Sequence, residues 1–242
     1  MWNKLISGPL VFPLLLLSVI VSIALGLTIG NRFLLPILNI SVAYPVLFSL
    51  LAQEKRNRAY AAMLFWALCM TVVMIWSTIH YPQSAQASIF HGKAYVDEMF
   101  HWIKTGEGRE GDPLRFVPQH LLHYVVFIVL SIFTGSFLSL LMGAVLMNYM
   151  SFYVGSLIRE STNPFLATIM GWQPYAILRV ASFVILGIIL GEPAICRIVK
   201  RDYDYAGARP YFWAAITGLA LDIVIKAFLA PWWGLTLRKI LP

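Results

Sequence analysis

The chain has 242 residues, of which 60% are hydrophobic and only 12% charged, with a mean hydropathy of +0.76. Soluble domains carry roughly a quarter charged residues, so a fully solvated surface is excluded and a lipid-facing one is implied. The net charge of +7 does not point to nucleic acid, because the basic residues sit in short links between apolar runs, as the positive-inside rule expects. These features predict an all-α, polytopic integral membrane helix bundle, a single domain over residues 1–242 surrounded by lipid.

The first predicted crossing is Leu10–Gly30. It is longer than the apolar core of a signal peptide, about 7–15 residues, and is read as an uncleaved helix. A turn at Gly30-Asn31-Arg32 leads to the second, Phe33–Ala52, and the basic link 53–58 leads to the third, Ala59–Ile79. Each is near the ~20 residues that a bilayer requires. A polar segment, 80–119, comes next as one long outward loop. Within 94–104, Tyr95, Met99 and Trp102 recur at helical spacing, which predicts a short amphipathic helix lying at the membrane interface. Residues 105–113 read as a turn-rich loop.

The stretch His120–Arg159 is too long for one crossing and carries Thr134-Gly135-Ser136 near its middle. It is predicted as a hairpin, about His120–Phe133 and Phe137–Leu157, the first arm being short unless it begins before His120. Asn163–Trp172 is a connector, open to a re-entrant reading. Pro174–Ile195, with Glu192-Pro193 marking its end, and Tyr211–Ala230 complete about seven crossings. With the N-terminus inside, Lys4, Lys55, Arg56, Arg58, Arg197, Lys200, Arg201 and Arg209 fall in the cytoplasm of an inner (cell) membrane, and 80–119 faces out. Arg238 and Lys239 then lie outside, against the rule.

All five histidines (His80, His91, His101, His120, His123) fall between Ile79 and Tyr124, with five of the eleven acids: Asp97, Glu98, Glu107, Glu110 and Asp112. Such groups are costly in lipid, so their concentration beside it marks this segment for binding or chemistry. Glu98-x-x-His101 places two ligands on one helical face, and His120-x-x-His123 repeats that spacing. Together, Glu98, His101, His120 and His123 would suit a transition metal: zinc, iron or copper. The alternative is interfacial histidines bonded to water, backbone or headgroups. No H-E-x-x-H, G-x-S-x-G or P-loop is present.

A second cluster is intramembrane: Arg179, and Asp222 with Lys226 four residues on, which can pair along one face. A charge in lipid costs roughly 2.5–3.5 kcal/mol on insertion scales, so these groups should face a protein interior or a wet cavity. They form either an anion or proton site or a mutually neutralised packing network. Asn148 is expected to hydrogen-bond between helices, and Cys69 and Cys196 to act as small packing residues. Gly26-x-x-x-Gly30 and Gly187-x-x-x-Gly191 allow close helix approach, within the chain or in a dimer. Trp232 and Trp233 fit an interfacial belt.

The hairpin, the connector after it and the start of the next helix carry Thr134-Gly135-Ser136, Gly143, Asn148, Gly155 and Trp172-Gln173-Pro174. In this Gly-Asn-Gly pattern, residues 134–191 resemble the stage II sporulation protein M family of membrane proteins. That resemblance implies a membrane scaffold working with periplasmic or cell-wall partners and carries over no catalytic residue. Three functions therefore stay open. The first is a non-enzymatic membrane component whose outer face binds a membrane or periplasmic protein partner, or a metal. The second is a metalloenzyme or metal-binding subunit built on Glu98, His101, His120 and His123. The third is a small transporter or channel using Arg179, Asp222 and Lys226.

Overall fold

The structure, a computed structural model, describes residues 2–242, with side chains from Leu5 onward. The side chain of Lys4, expected in the cytoplasm, lies outside the described residues. The helices in chain order are α1 (Trp2–Ser7), α2 (Val11–Ile29), α3 (Leu34–Ala52), α4 (Arg56–His80), α5 (Pro82–Ser88), α6 (Gly92–Thr105), α7 (Pro113–Thr134), α8 (Phe137–Glu160), α9 (Pro164–Gly171), α10 (Pro174–Ile198) and α11 (Tyr205–Arg238). Seven of them (α2, α3, α4, α7, α8, α10 and α11) are long and apolar enough to cross a membrane. Helices suit lipid because each satisfies its own backbone polar groups.

About half of α3, α4 and α10 is buried inside the protein, against 28% of α2, α7 and α11. The former make the centre of the bundle and the latter its lipid-facing rim. Residues 81–112, the α8–α10 link and the C-terminus meet at one end, called here the lid end. The links 53–55, 135–136 and 199–204 lie at the other. A buried chain of side-chain hydrogen bonds ties α2, α3 and α8: Ser22 Oγ donates to Asn39 Oδ1 (3.0 Å), and Asn39 Nδ2 donates to Asn148 Oδ1 (3.1 Å). That is the interhelical bond expected of Asn148. Both cysteines are free and buried.

Several boundaries differ from the expectation for physical reasons. α7 starts at Pro113, seven residues before His120, because Asp112 caps it by accepting from the Leu114 amide (3.0 Å) and Pro113 needs no donor at N1. The connector 163–172 is a capped helix, α9, with Asn163 accepting from the Leu166 amide. α10 does not stop at Glu192-Pro193 but runs on to Ile198. Pro193 removes the donor that would reach the Ile189 carbonyl, and Tyr203 OH supplies it instead at 3.1 Å. Glu192, buried at that point, holds Arg56 (2.7 Å) on one oxygen and Arg201 (3.1 Å) on the other.

The segment 81–112 is a folded lid. α6 packs against α8 and α11, burying Val96, Met99, Trp102 and Ile103, and Arg238 Nε clips it by donating to the Ile103 carbonyl (2.7 Å). Its apolar stripe therefore covers protein rather than lipid. The second glycine pair is used within the chain. A side chain on Gly191 would collide with Ser136, whose Oγ donates to the Gly187 carbonyl at 2.5 Å. This contact locks the α7–α8 turn onto α10 and holds Ser136 at a positive φ of 68°. Trp233 is buried and donates to the Met170 carbonyl (2.8 Å), whereas Trp232 is exposed.

Candidate functional site

At the lid end the rim helices α7 and α11 turn charged residues inward against α10. α11 presents Asp222 and Lys226 one turn apart, both fully buried. They do not pair with each other as their spacing suggested, because His120 from α7 stands between them. Its Nδ1 lies 3.3 Å from Asp222 Oδ2 and its Nε2 lies 3.3 Å from Lys226 Nζ. A charged Lys226 can only donate, which assigns the His120 proton to Nδ1, toward Asp222.

Asp222 Oδ2 gathers two further donors. Tyr124 OH, one turn along α7 from His120, donates at 2.5 Å, and Arg179 Nε from α10 stands 3.0 Å away. His120 Nδ1 and Arg179 Nε approach off the alignment of a hydrogen bond, so their attraction to Asp222 is chiefly Coulombic. Asp222 Oδ1 is buried with no partner among the described residues. Lys226 turns to Glu110, in the 3-10 turn Arg109–Gly111, at 2.8 Å, and its ammonium sits 4.6 Å over the Phe116 ring. Two cations thus meet two carboxylates, the balance that a buried site demands. Burial opposes ionisation of Glu110, but Lys226, with Arg179 and His120 behind it, outweighs that effect and holds the carboxyl below its ordinary 4.5.

The network forms the head of an elongated cavity of ≈ 110 Å³. Glu110, Gln119, His120, His123 and Arg179 line that head. Below it the wall becomes apolar, with Trp66, Phe127, Met147 and Phe183, and the foot reaches Ser136 and Ser139 at the α7–α8 turn. Each wall is one helical stripe, such as Gly143, Met147 and Met150 on α8, because side chains three or four apart share a face. The residues that line it on α10, from Ala176 to Ile188, span about 18 Å at 1.5 Å per residue.

Arg179 is one of two charges of this wall with accessible surface, Glu110 being the other. The arginine commits Nε to Asp222, while neither of its Nη nitrogens has a hydrogen-bond partner among the described residues. Its side chain keeps 17% of its surface accessible, enough to offer two donors to the cavity. His123, half-buried on the same wall, is likewise without a polar partner in the described residues.

The proposed ligands Glu98, His101, His120 and His123 are not gathered. Among the described residues no three His, Cys, Asp or Glu side chains are placed to hold a metal ion. Glu98 pairs with Arg109 (3.0 Å) and His101 is exposed. Packing the apolar stripe of α6 against the bundle leaves His101 exposed and Glu98 half-buried on Arg109, so neither joins His120 and His123 in a metal-holding group. His80 and His91 are also exposed. Arg179, Asp222 and Lys226 belong to one network, but Glu110 and Tyr124 complete it and were not singled out from the sequence. Tyr124 follows His120 by four, a legible same-face signal. Glu110 lies in a glycine-rich loop without periodicity, where nothing marks it.

No family model matches the sequence, and comparison with curated proteins and with solved structures returns no match, so the likeness of residues 134–191 to stage II sporulation protein M rests on its short motifs alone.

Proposed function

We propose that this multi-pass membrane protein is a small-molecule binder of the carrier or transporter class. The cavity within its bundle is the binding site, and Arg179, His120 and Glu110, backed by Asp222 and Lys226, form its polar wall. One observation carries the reading: the costliest groups in the membrane domain lie together at the head of an elongated cavity, with unused donors on its surface. A network serving packing alone would be closed on itself, because each unsatisfied buried polar group costs about 1–3 kcal/mol. Cavities between bundle helices with a few convergent polar groups are the usual form of a small-molecule site. In this reading the N-terminus and the 53–58 and 197–209 links face the cytoplasm of an inner membrane, and the lid faces out. A lid surface that also docks a periplasmic partner is compatible with it, and the cavity requires no metal.

Gly143 supplies the test. It lines the cavity, and a Cβ there would meet no atom within 4 Å, so Gly143→Leu fills the space without breaking the bundle. Wild-type protein in phosphatidylcholine nanodiscs is expected to carry or take up a small molecule visible by native mass spectrometry. Gly143→Leu, folded to the same melting temperature, is expected to lack it. Equal occupancy in the two proteins overturns the reading.

A further inference from the structure

We propose that the cavity recognises an amphipathic anion, a single apolar chain ending in a carboxylate or phosphate, with Arg179 as the residue that reads the head. This rests on the binding role proposed above and names the ligand class. The first support is the pattern of donors. Arg179 spends only Nε on the protein and leaves both Nη groups to the cavity wall it lines. A guanidinium is held by bidentate oxygens better than by any other group, which favours carboxylate or phosphate over a neutral polar head. His123 and Gln119 stand on the same wall and add neutral donors.

The second support is the state of the acids nearby. Glu110 also lines the cavity, but its carboxylate is tied to Lys226 at 2.8 Å. Asp222, which faces Arg179, is not among the lining residues and sits behind the guanidinium. Glu110 keeps as much accessible surface as Arg179 but is offset by Lys226, and the unspent charged donors at the head are those of the arginine. The third is the gradient along the cavity. Beyond the head come Phe127, Phe183, Met147 and Trp66, and these end near Ser136. The lining residues follow about 18 Å of α10 at 1.5 Å per residue, so an apolar chain would lie along this wall with its head at Arg179. Partly exposed Gln119, His123, Gly143 and Leu146 belong to α7 and α8, so the seam between these helices is the side from which a molecule in lipid would enter.

The test measures binding of four probes to protein in phosphatidylcholine nanodiscs: dodecyl phosphate, dodecanoate, dodecanol and inorganic phosphate. Wild type is expected to bind dodecyl phosphate and dodecanoate at least tenfold more tightly than dodecanol or inorganic phosphate. Gly143→Leu should lose all chain-bearing probes. Arg179→Lys keeps the charge beside Asp222 but loses the planar fork, and should bring the two anionic chains to within threefold of dodecanol. If dodecanol equals the anionic probes and Gly143→Leu removes both, the cavity reading stands and the anion is refuted. Inorganic phosphate binding as tightly as dodecyl phosphate refutes the chain. Absence of binding by every probe, or binding untouched by Gly143→Leu, overturns the cavity reading and this one with it.

Discussion

The protein buries two groups of charges, one at each end, and they are built differently. At the end opposite the lid, Glu192 uses both carboxylate oxygens, one for Arg56 and one for Arg201, and Asp204 lends Arg56 a further contact at 3.6 Å. Those arginines fasten α4 and the α10–α11 link to α10. At the lid end, Asp222 crowds Tyr124, His120 and Arg179 onto one oxygen and leaves the other buried and empty. That second group lines a cavity through Arg179, His120 and Glu110, whereas Glu192 lines neither that cavity nor the one of ≈ 500 Å³ beside Pro193, Arg197 and Tyr203 at its own end. A buried ion pair that closes on itself is read as architecture. What separates the two groups is access. Arg201 also keeps Nε and Nη1 without a hydrogen bond among the described residues but lines neither cavity, whereas the unspent Arg179 lines one. Such groups are read as a site only where something else can reach and satisfy them.

The largest expected effect lies in the second group. Asp222→Asn leaves Arg179 and His120 without their buried acid and should lower unfolding stability by about 3–5 kcal/mol, measured by denaturant titration in detergent. A loss below a tenth of that would show that the network does not act as a unit. Glu110→Gln should cost about 1.5–3 kcal/mol at neutral pH, the range for hydrogen bonds to charged groups. Its pH dependence has a definite sign. The folded Glu110 carboxyl titrates below its ordinary 4.5, so its contribution is present above that value and fades as pH falls through the lower folded one. The stability gap between wild type and Glu110→Gln should therefore shrink below pH 4.5, and a gap that widens on acidification would reverse the assignment. Glu192→Gln should cost less, about 1–3 kcal/mol, because Arg56 and Arg201 can still reach water. It should leave retention of the cavity's small molecule unchanged, and a binding defect there would erase the contrast between the two ends. The smallest effect is Tyr203→Phe, which removes the donor on the Ile189 carbonyl while keeping the ring. About 0.5–1.5 kcal/mol is expected by melting, and no change would mean that α10 tolerates Pro193 unaided.

Much of this was legible in the chain. Runs of about 20 apolar residues between charged links gave the seven spanning helices, and Thr134-Gly135-Ser136 gave the hairpin that a hydropathy count alone would have merged. Asn148 announced an interhelical bond, and Arg179, Asp222 and Lys226 announced a protein-facing cluster, since charge does not face hydrocarbon without a partner. Continuation of α10 past Pro193 was not legible, because the compensating donor, Tyr203, comes from the link beyond the helix. Nor was the separation of Glu98 and His101 from His120 and His123. Spacing shows which residues share a face of one helix and says nothing of where that face turns.

The sequence by itself thus determined the class, the spans and which charges must be hidden, since these follow from local hydropathy and from the cost of charge in lipid. The tertiary structure alone decided the partners. It brought Glu110 from a loop to Lys226 on the last helix, set His120 between two residues of α11 that spacing would have paired, and left the Nη groups of Arg179 open over a cavity. Contacts between positions a hundred residues apart depend on how helices pack, and no local pattern encodes that.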